Sequence, residues 1–367
     1  MTFRLGRLAT AVGITIALVS CGAPPTAQPT GSGSSAAESK YEKYEALKGQ
    51  DRRDQLVKDA KAEGELSLYT SMTSDVASAV AKAFTDKFGV KVNLYRAASE
   101  TVLQRILQES SANHAGADAV ETDALEMAAL GKEKLISPYT GERRDLVGKE
   151  GQFDNWTASR YNLFAPSWNT TKVAAGDQPK SWEDLADPKW DGKLAMELSD
   201  YDWYLTLYGY WQQHGKSTAE IDKLFADMAN GAKVVKGHTV MGELLSAGEY
   251  SVAASNYSYL VQRAADKGAP VAYQPFVQPV IARPQGVALM KSAAHPAASL
   301  LFEDWLLTEG QQVFIDLGLT PSIEPPGLKD PLAGLEVIPV DVNKLLNEQK
   351  QWSDRYDALL EKGDKVG

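Results

Sequence analysis

The stretch GELSLYTSMTSDVASAVAKAFTDKFGVKVNLYRA, residues 64–97, decides the fold. Residues 65–71 are predicted to form a strand. Residues 74–88 then carry valine, alanine and phenylalanine at helical spacing, and Gly89 ends this helix. The next strand is predicted at residues 90–95. A strand, a helix and a second strand in this order favour a right-handed βαβ unit and a parallel sheet.

The alternation continues along the chain. A helix is predicted at residues 99–111, a strand at 117–122 and a helix at 124–134. Strands and helices of similar length follow, including separate strands at 280–283 and 286–290 and a final polar helix around 342–361. The sequence therefore predicts an α/β fold.

Two lobes are predicted within this fold. Residues 64–163 together with 282–325 form lobe 1, and residues 164–281 form lobe 2, inserted in the first. A helical segment, 41–63, leads into lobe 1, and 326–367 form a C-terminal segment whose helix packs on the lobes. Two chain crossings between the lobes form a hinge, and the ligand cleft lies between them, at the carboxyl ends of the strands.

The composition excludes several classes of protein. The chain has 367 residues, of which 44% are hydrophobic and 23% charged, which is typical of a globular protein. Its net charge is −10, so a global basic surface for nucleic acid is absent. It has a single cysteine, which excludes a disulfide within the chain, a cysteine-rich zinc site and a CxxC redox centre.

The N-terminus predicts export. Residues 1–20 contain two arginines and then an apolar run, residues 8–19, that is short for a bilayer span and typical of a signal peptide. Cys21 follows where such a signal is cleaved, which resembles a bacterial lipobox and implies an acylated N-terminal cysteine. A buried cysteine, or an incidental one in a plain secreted protein, is the alternative. Residues 22–40 have no large apolar side chain and predict a flexible tether of about 24 Å.

An acylated cysteine, a polar tether and two α/β lobes together resemble the extracellular solute-binding proteins of ABC importers. Five stretches carry the resemblance, most closely to the ferric-iron-binding branch with the type II fold: 64–97, 117–139, 187–204, 237–271 and 282–312. The resemblance implies two strands crossing at the hinge, a cleft that closes around a ligand, and delivery to permease subunits in the membrane. It implies no cofactor, with Fe³⁺ as a candidate cargo.

One departure from the ferric branch concerns its tyrosines. Ferric binders of this group usually have adjacent tyrosines where this chain has Asn256-Tyr257-Ser258-Tyr259. If a strand continued to Tyr259, both phenols would lie on one face, and Tyr257 and Tyr259 could bind Fe³⁺. A helix beginning there would separate them. Both tyrosines are also candidates for contact with an organic ligand, and a pair of core aromatics is the structural alternative.

Several polar residues at predicted strand–helix junctions are candidate ligand contacts in lobe 1. Hydroxyl groups and free N–H groups at a helix N-terminus suit an anion or a carboxylate, although helix capping would explain the same residues. A glutamate there could bind a cation or simply favour the first helical turn. The candidates are Thr70, Ser71, Thr73, Ser99, Glu100 and Thr122.

Lobe 2 and the return crossing add further candidates. Tyr201 and Trp203 begin a predicted helix and could stack on an organic ligand. His238 and Arg283, together with Arg96 and Lys236, would give a locally positive cleft that attracts an anion, and scattered salt bridges are the alternative reading.

We therefore predict a monomeric, lipid-anchored binding protein on the outer face of the membrane. Its ligand is expected to be ferric iron or a small organic or phosphorylated anion. A ligand-sensing or adhesion lipoprotein on the same scaffold is the alternative. An enzyme is disfavoured because no GxSxG, HExxH or glycine-rich phosphate-loop motif occurs.

Overall fold

A computed structural model describes residues 41–44, 46–114, 116–323, 332–361 and 364–365. The predicted signal peptide, Cys21 and the predicted tether lie outside the described residues. Among the residues described, none of the helices combines the length and the apolar character needed to cross a bilayer.

The strands are β1 Glu65–Thr70, β2 Lys91–Arg96, β3 Ala119–Asp123, β4 Ile136–Ser137, β5 Thr157–Asn169, β6 Leu194–Glu197, β7 Lys233–Val235, β8 Val252–Tyr257, β9 Val271–Ala272, β10 Val280–Met290, β11 Thr320–Pro321, β12 Val337–Pro339 and β13 Asp364–Lys365. The α-helices are α1 Gly49–Glu63, α2 Ser74–Phe88, α3 Ser99–Ser111, α4 Ala124–Lys132, α5 Tyr201–Gln213, α6 Thr218–Ala229, α7 His238–Ala247, α8 Ser258–Asp266, α9 Pro296–Leu306, α10 Gln311–Asp316 and α11 Val342–Leu360. Short 3₁₀ helices cover Glu142–Leu146, Lys149–Gly151, Glu183–Ala186 and Pro188–Trp190.

The strands form one continuous sheet in the order β13-β7-β6-β8-β5-β10-β3-β1-β2. One half is parallel through β1, β2 and β3, and the other is parallel through β6, β7 and β8. Between them, β5 and β10 run antiparallel to each other and to their outer neighbours. The predicted α/β class is confirmed, but the sheet is mixed rather than parallel, because its two central strands run against the halves.

The two central strands also carry the predicted chain crossings. The crossing expected near residue 163 lies within β5, and the one near residue 281 lies within β10. The predicted lobe boundaries themselves stay a prediction.

β10 differs from the two short strands expected at 280–283 and 286–290. It is continuous, and Pro284 lies within it opposite Tyr161. The pairing with β5 shifts register between Gln285 and Gly286, which accommodates the irregular stretch without ending the strand.

Helices on each half bury apolar faces against the sheet. In one half, Phe84 of α2 contacts Phe302 and Trp305 of α9. In the other, Tyr204 of α5 packs against Trp352 and Tyr356 of the C-terminal helix α11. These aromatic contacts fix the helices whose N-terminal ends surround the cavity described below.

We predict that Gly286→Ala destabilises the fold. A Cβ at Gly286 would lie 2.5 Å from Trp156 Cε3 and 2.8 Å from Met127 Cγ, both in the buried core. Overpacking of this kind should lower the free energy of unfolding by about 1–3 kcal/mol, measured by urea denaturation.

Gly209→Ala is the matched control. Gly209 lies inside α5, and a Cβ there meets nothing within 4 Å. Alanine should raise the free energy of unfolding by about 0.5–1 kcal/mol through its helix propensity. Equal effects at the two positions would contradict the packing argument at Gly286.

Candidate ligand-binding site

A cavity of about 250 Å³ lies between the two halves of the sheet. Six of the described helices begin at its wall: α2, α3, α4, α5, α7 and α8. The residues preceding these helices all line the cavity: Thr73, Ala98, Asp123, Asp200, Gly237 and Tyr257. Strand–helix connections place them there, because the carboxyl ends of parallel strands share an edge of each half.

None of these six N-cap residues bonds its side chain to its own helix. Helices α6 and α11 differ, because side-chain oxygens of Ser217 and Asp341 cap them, and neither of these two residues lines the cavity. The N-terminal N–H groups of the six helices are therefore not satisfied by their caps. Each helix N-terminus also carries a partial positive charge of about half a unit.

Arg283, on the central strand β10, is the cation at the centre of the site. Its guanidinium bonds Asp202 at the start of α5 and the Tyr257 hydroxyl, and its Nη1 lies 3.4 Å from Asp123 at the end of β3. Asp123 belongs to one half of the sheet, and Asp202 and Tyr257 belong to the other. Burial raises the pKa of Asp202, and Arg283 only partly offsets this effect.

An aromatic stack forms one wall of the cavity. The rings of His238 and Tyr257 are 3.7 Å apart and nearly parallel, and the rings of Tyr257 and Tyr259 are 6.2 Å apart at 16°. Burial alone would lower the pKa of His238, but Asp200, 3.1 Å from its Nε2, reverses the shift and raises it. Burial raises the pKa of the Tyr257 phenol well above its usual value, despite Arg283.

A second buried arginine, Arg160, faces the cavity from β5. Its Nε lies 3.2 Å from Glu121, and its Nη1 donates to Asn162 at 2.7 Å. Burial raises the pKa of Glu121, whereas Arg160 lowers it. In the described part of the chain, no group of three or more His, Cys, Asp or Glu side chains is arranged to hold a metal ion.

The site is mixed in charge. Its cavity-lining carboxylates are Glu100, Asp123, Glu126, Glu197, Asp200 and Asp202, and its permanent cations are Arg96, Arg160, Lys236 and Arg283. The expectation of a positive cleft made by side chains is therefore wrong, because the sequence-distant acids accompany the cations. The six helix N-termini add further positive charge, about half an elementary charge each and roughly three in total.

A comparison with known families now gives the site its context. A sequence model of the family described as bacterial extracellular solute-binding protein matches residues 125–336, more than half of the chain. The chain belongs to this family. The predicted resemblance to extracellular solute-binding proteins and the predicted type II fold are therefore confirmed.

Relatives and solved structures agree with this family. This solute-binding protein is 24% identical to "Iron uptake protein A1" of Synechocystis over 271 residues, which cover 68% of this chain and 73% of the relative. It is 25% identical to the "Fe(3+)-binding periplasmic protein" of Serratia marcescens over 196 residues, 52% of this chain and 56% of that protein.

Two solved structures show the shared fold. Iron-bound HitA of Pseudomonas aeruginosa superimposes with a TM-score of 0.66 at 22% identity, covering 80% of this chain and 99% of HitA. AfuA of Actinobacillus pleuropneumoniae, with fructose-6-phosphate bound, superimposes with a TM-score of 0.69 at 21% identity, covering 81% of this chain and 99% of AfuA.

Most of the sequence-predicted contacts of this solute-binding protein are brought together at one cavity. Those lining it are Ser71, Thr73, Ser99, Glu100, Tyr201, His238, Tyr257, Tyr259 and Arg283. The Thr73 hydroxyl is buried there without a hydrogen-bond partner among the described residues.

Three predicted contacts do not line the cavity. Thr70 is buried and donates to Glu121 at 2.8 Å, and Thr122 is buried and donates to Ser71 at 3.1 Å. Trp203 is fully buried between Trp182 and Phe225. Residues two apart on a helix point about 200° apart, so Tyr201 faces the cavity while Trp203 faces the core.

The tyrosine pair differs from both geometries considered for it. The strand does not continue to Tyr259, because β8 ends at Tyr257 and α8 begins at Ser258. The helix was expected to separate the two phenols, but their rings remain stacked neighbours at the cavity wall.

Sequence reasoning missed several groups of the site. Asp123 and Arg160 were not among the candidate contacts predicted from the sequence. Glu126, Asp200 and Asp202 lie in first helical turns or at caps, where acidic residues are common for structural reasons. Their position at strand–helix junctions was the available signal.

We predict that Arg283→Gln strongly destabilises this solute-binding protein. It leaves Asp123 and Asp202 without their buried cation, which should lower the free energy of unfolding by about 3–5 kcal/mol at pH 7.5. Loss of the cation raises the pKa of the Asp202 carboxyl further. Protonation at pH 5 then relieves the repulsion, so the deficit relative to the wild type should be smaller at pH 5, by urea denaturation.

Arg263→Gln is the control for this prediction. Arg263 forms an ion pair with Asp75 at the surface, where a single pair contributes about 1 kcal/mol or less. A deficit for Arg283→Gln as small as that of the control would contradict the buried-pair argument.

Proposed function

We propose that this protein captures a small organic ligand with an anionic group and delivers it to the permease of an ABC importer. One observation carries the proposal: six helices whose N-cap residues form no side-chain cap begin at the wall of one cavity. Free N–H groups and positive helix ends are a ready-made site for a phosphate or carboxylate.

The size and the lining of the cavity support an organic ligand. Its volume of about 250 Å³ approaches the lower end of small-molecule sites, about 300 Å³, and far exceeds the space of a bare metal ion. Ser71, Thr73 and Ser99 supply hydroxyl groups in one half of the sheet, and the aromatic stack supplies a flat surface in the other. AfuA, which shares this fold, binds fructose-6-phosphate in its solved structure, and that molecule is an organic anion.

Capture is proposed to proceed by closure of the two halves. Side chains from both halves line the cavity, and Arg283, on the shared strand β10, bonds an aspartate of each half. A ligand that contacts both halves binds the closed arrangement better and shifts the population toward it.

Ferric iron is the second candidate ligand. The parallel rings of Tyr257 and Tyr259 at the cavity wall favour it, as do the names of the Synechocystis and Serratia relatives. Phenolate oxygens are hard ligands that suit Fe³⁺. In the present arrangement the Tyr257 hydroxyl bonds Arg283, so iron binding would require this contact to break.

We predict that natively purified protein carries, or takes up, a small organic anion. Native mass spectrometry identifies the bound molecule. The molecule is then added back to ligand-free protein, and thermal denaturation measures the change in stability while small-angle scattering measures the radius of gyration. At about 100 times the Kd, the ligand should raise the free energy of unfolding by about 2.7 kcal/mol and reduce the radius of gyration.

Addition of ferric citrate distinguishes the two candidates. The organic-ligand proposal expects no visible charge-transfer band. A band that Tyr257→Phe abolishes would favour iron instead. Stabilisation by a ligand without any compaction would contradict closure.

We also propose that acylated Cys21 anchors the protein to the outer face of the cell membrane. The signal-like residues 1–20 and the small residues before Cys21 support this proposal. We predict that Cys21→Ser abolishes palmitate labelling and moves the protein from the membrane fraction to the soluble exported fraction. Ser20→Thr is the control. Unchanged membrane retention of Cys21→Ser would contradict the anchor.

A further inference from the structure

Glu126, in the first turn of α4, is a buried carboxylate at the cavity wall. Its residue is 6% exposed, and it lines the cavity. No other described side chain donates a hydrogen bond to it or forms an ion pair with it. Burial, then the charge of Asp123, raises its pKa to about 8. At pH 7 this side chain is therefore largely protonated in the unliganded protein, and a cation bound next to it would favour the charged carboxylate.

The corner around Glu126 has an excess of acids. Glu100 and Asp123 line the same part of the cavity and both raise the pKa of Glu126. Arg283 acts on Glu126 from a distance, but its guanidinium bonds Asp202, Asp123 and the Tyr257 hydroxyl. Arg283 therefore forms its hydrogen bonds with these three groups and not with Glu126.

An aromatic ring completes this corner. Tyr201 at the start of α5 also lines the cavity, and burial and the charge of Glu126 raise the pKa of its phenol. A carboxylate and a tyrosine ring that line the same cavity suit an organic ammonium group, which can gain both a charge-assisted hydrogen bond and a cation–π contact.

We propose that the ligand carries a cationic nitrogen that binds Glu126, in addition to the anionic group at the helix N-termini. The inference rests on the proposed function, because it assigns a second charge to the ligand of the same cavity. The ligand class is then an amine-bearing phosphate, sulfonate or carboxylate. Glu126 selects for it against anions of the same shape without the amine.

Matched pairs of molecules test this selection. Each pair is an amine-bearing anion and its amine-free counterpart: phosphoethanolamine and ethyl phosphate, taurine and ethanesulfonate, β-alanine and propionate, and glucosamine 6-phosphate and glucose 6-phosphate. Calorimetric titration of the full exported chain should find a bound pair whose amine member binds at least about tenfold tighter.

Glu126→Gln keeps the shape and hydrogen bonding of the side chain but removes its charge. It should abolish the preference within that pair by lowering the affinity for the amine-bearing member, and it should not weaken binding of the amine-free member. Glu133→Gln, at the exposed C-terminal end of the same helix, is the control and should keep the wild-type preference. Urea denaturation of both variants checks that they fold.

The outcomes separate this inference from the proposed function. If amine-free members bind as tightly as their partners, the inference is overturned while anion capture stands. If Glu126→Gln keeps the wild-type preference, Glu126 acts as a neutral hydrogen-bond donor or not at all, and the inference is overturned. If no member of the panel binds, or ferric citrate alone binds, the inference and the proposed function fail together.

Discussion

The guanidinium of Arg283 is the interaction on which the site depends. An arginine keeps its charge in a protein interior, so its burial requires acids close by. Asp123 supplies one from the end of β3, and Asp202 supplies another from the start of α5. Because Arg283 lies on the strand shared by both halves, the same contacts that compensate its charge also hold the cavity walls together.

This arrangement explains why the helix N-termini stay available. Asp123 and Asp200 stand at N-cap positions, where an aspartate normally accepts hydrogen bonds from its own helix. Asp123 instead accepts from Ser99 and Arg283, and Asp200 accepts from Ser255 and faces His238. Their carboxylates accept from these other partners and do not cap their own helices. In the helix after Asp200, the Trp203 N–H donates to Asp202 instead.

Local sequence patterns predicted most of the helices and strands, and they predicted that the site lies at strand–helix junctions. Strand–helix alternation predicted α2 with the bounds observed, and the rule that ligands bind beyond strand ends selected Ser71, Ser99 and Tyr201 correctly for the cavity wall. It could not place partners distant in sequence. Arg160 and Glu121, or Arg283 and Asp202, meet only through the sheet order, and so the charge balance of the cavity was mispredicted.

Charge balance also bears on the two proposed ligands. A trivalent cation at Tyr257 would sit beside Arg283 and the positive ends of several helices, and would have to displace Arg283 from the phenol whose pKa burial already raises. Each of these terms opposes Fe³⁺ unless an anion accompanies it, whereas the charges of Asp123, Asp200 and Asp202, which act on the same phenol, attract it. The same positive groups attract an organic anion. The acids near Glu126 repel such an anion unless it also carries a positive charge. The mixed arrangement of charges therefore supports the proposed ligand, which carries both a negative and a positive group.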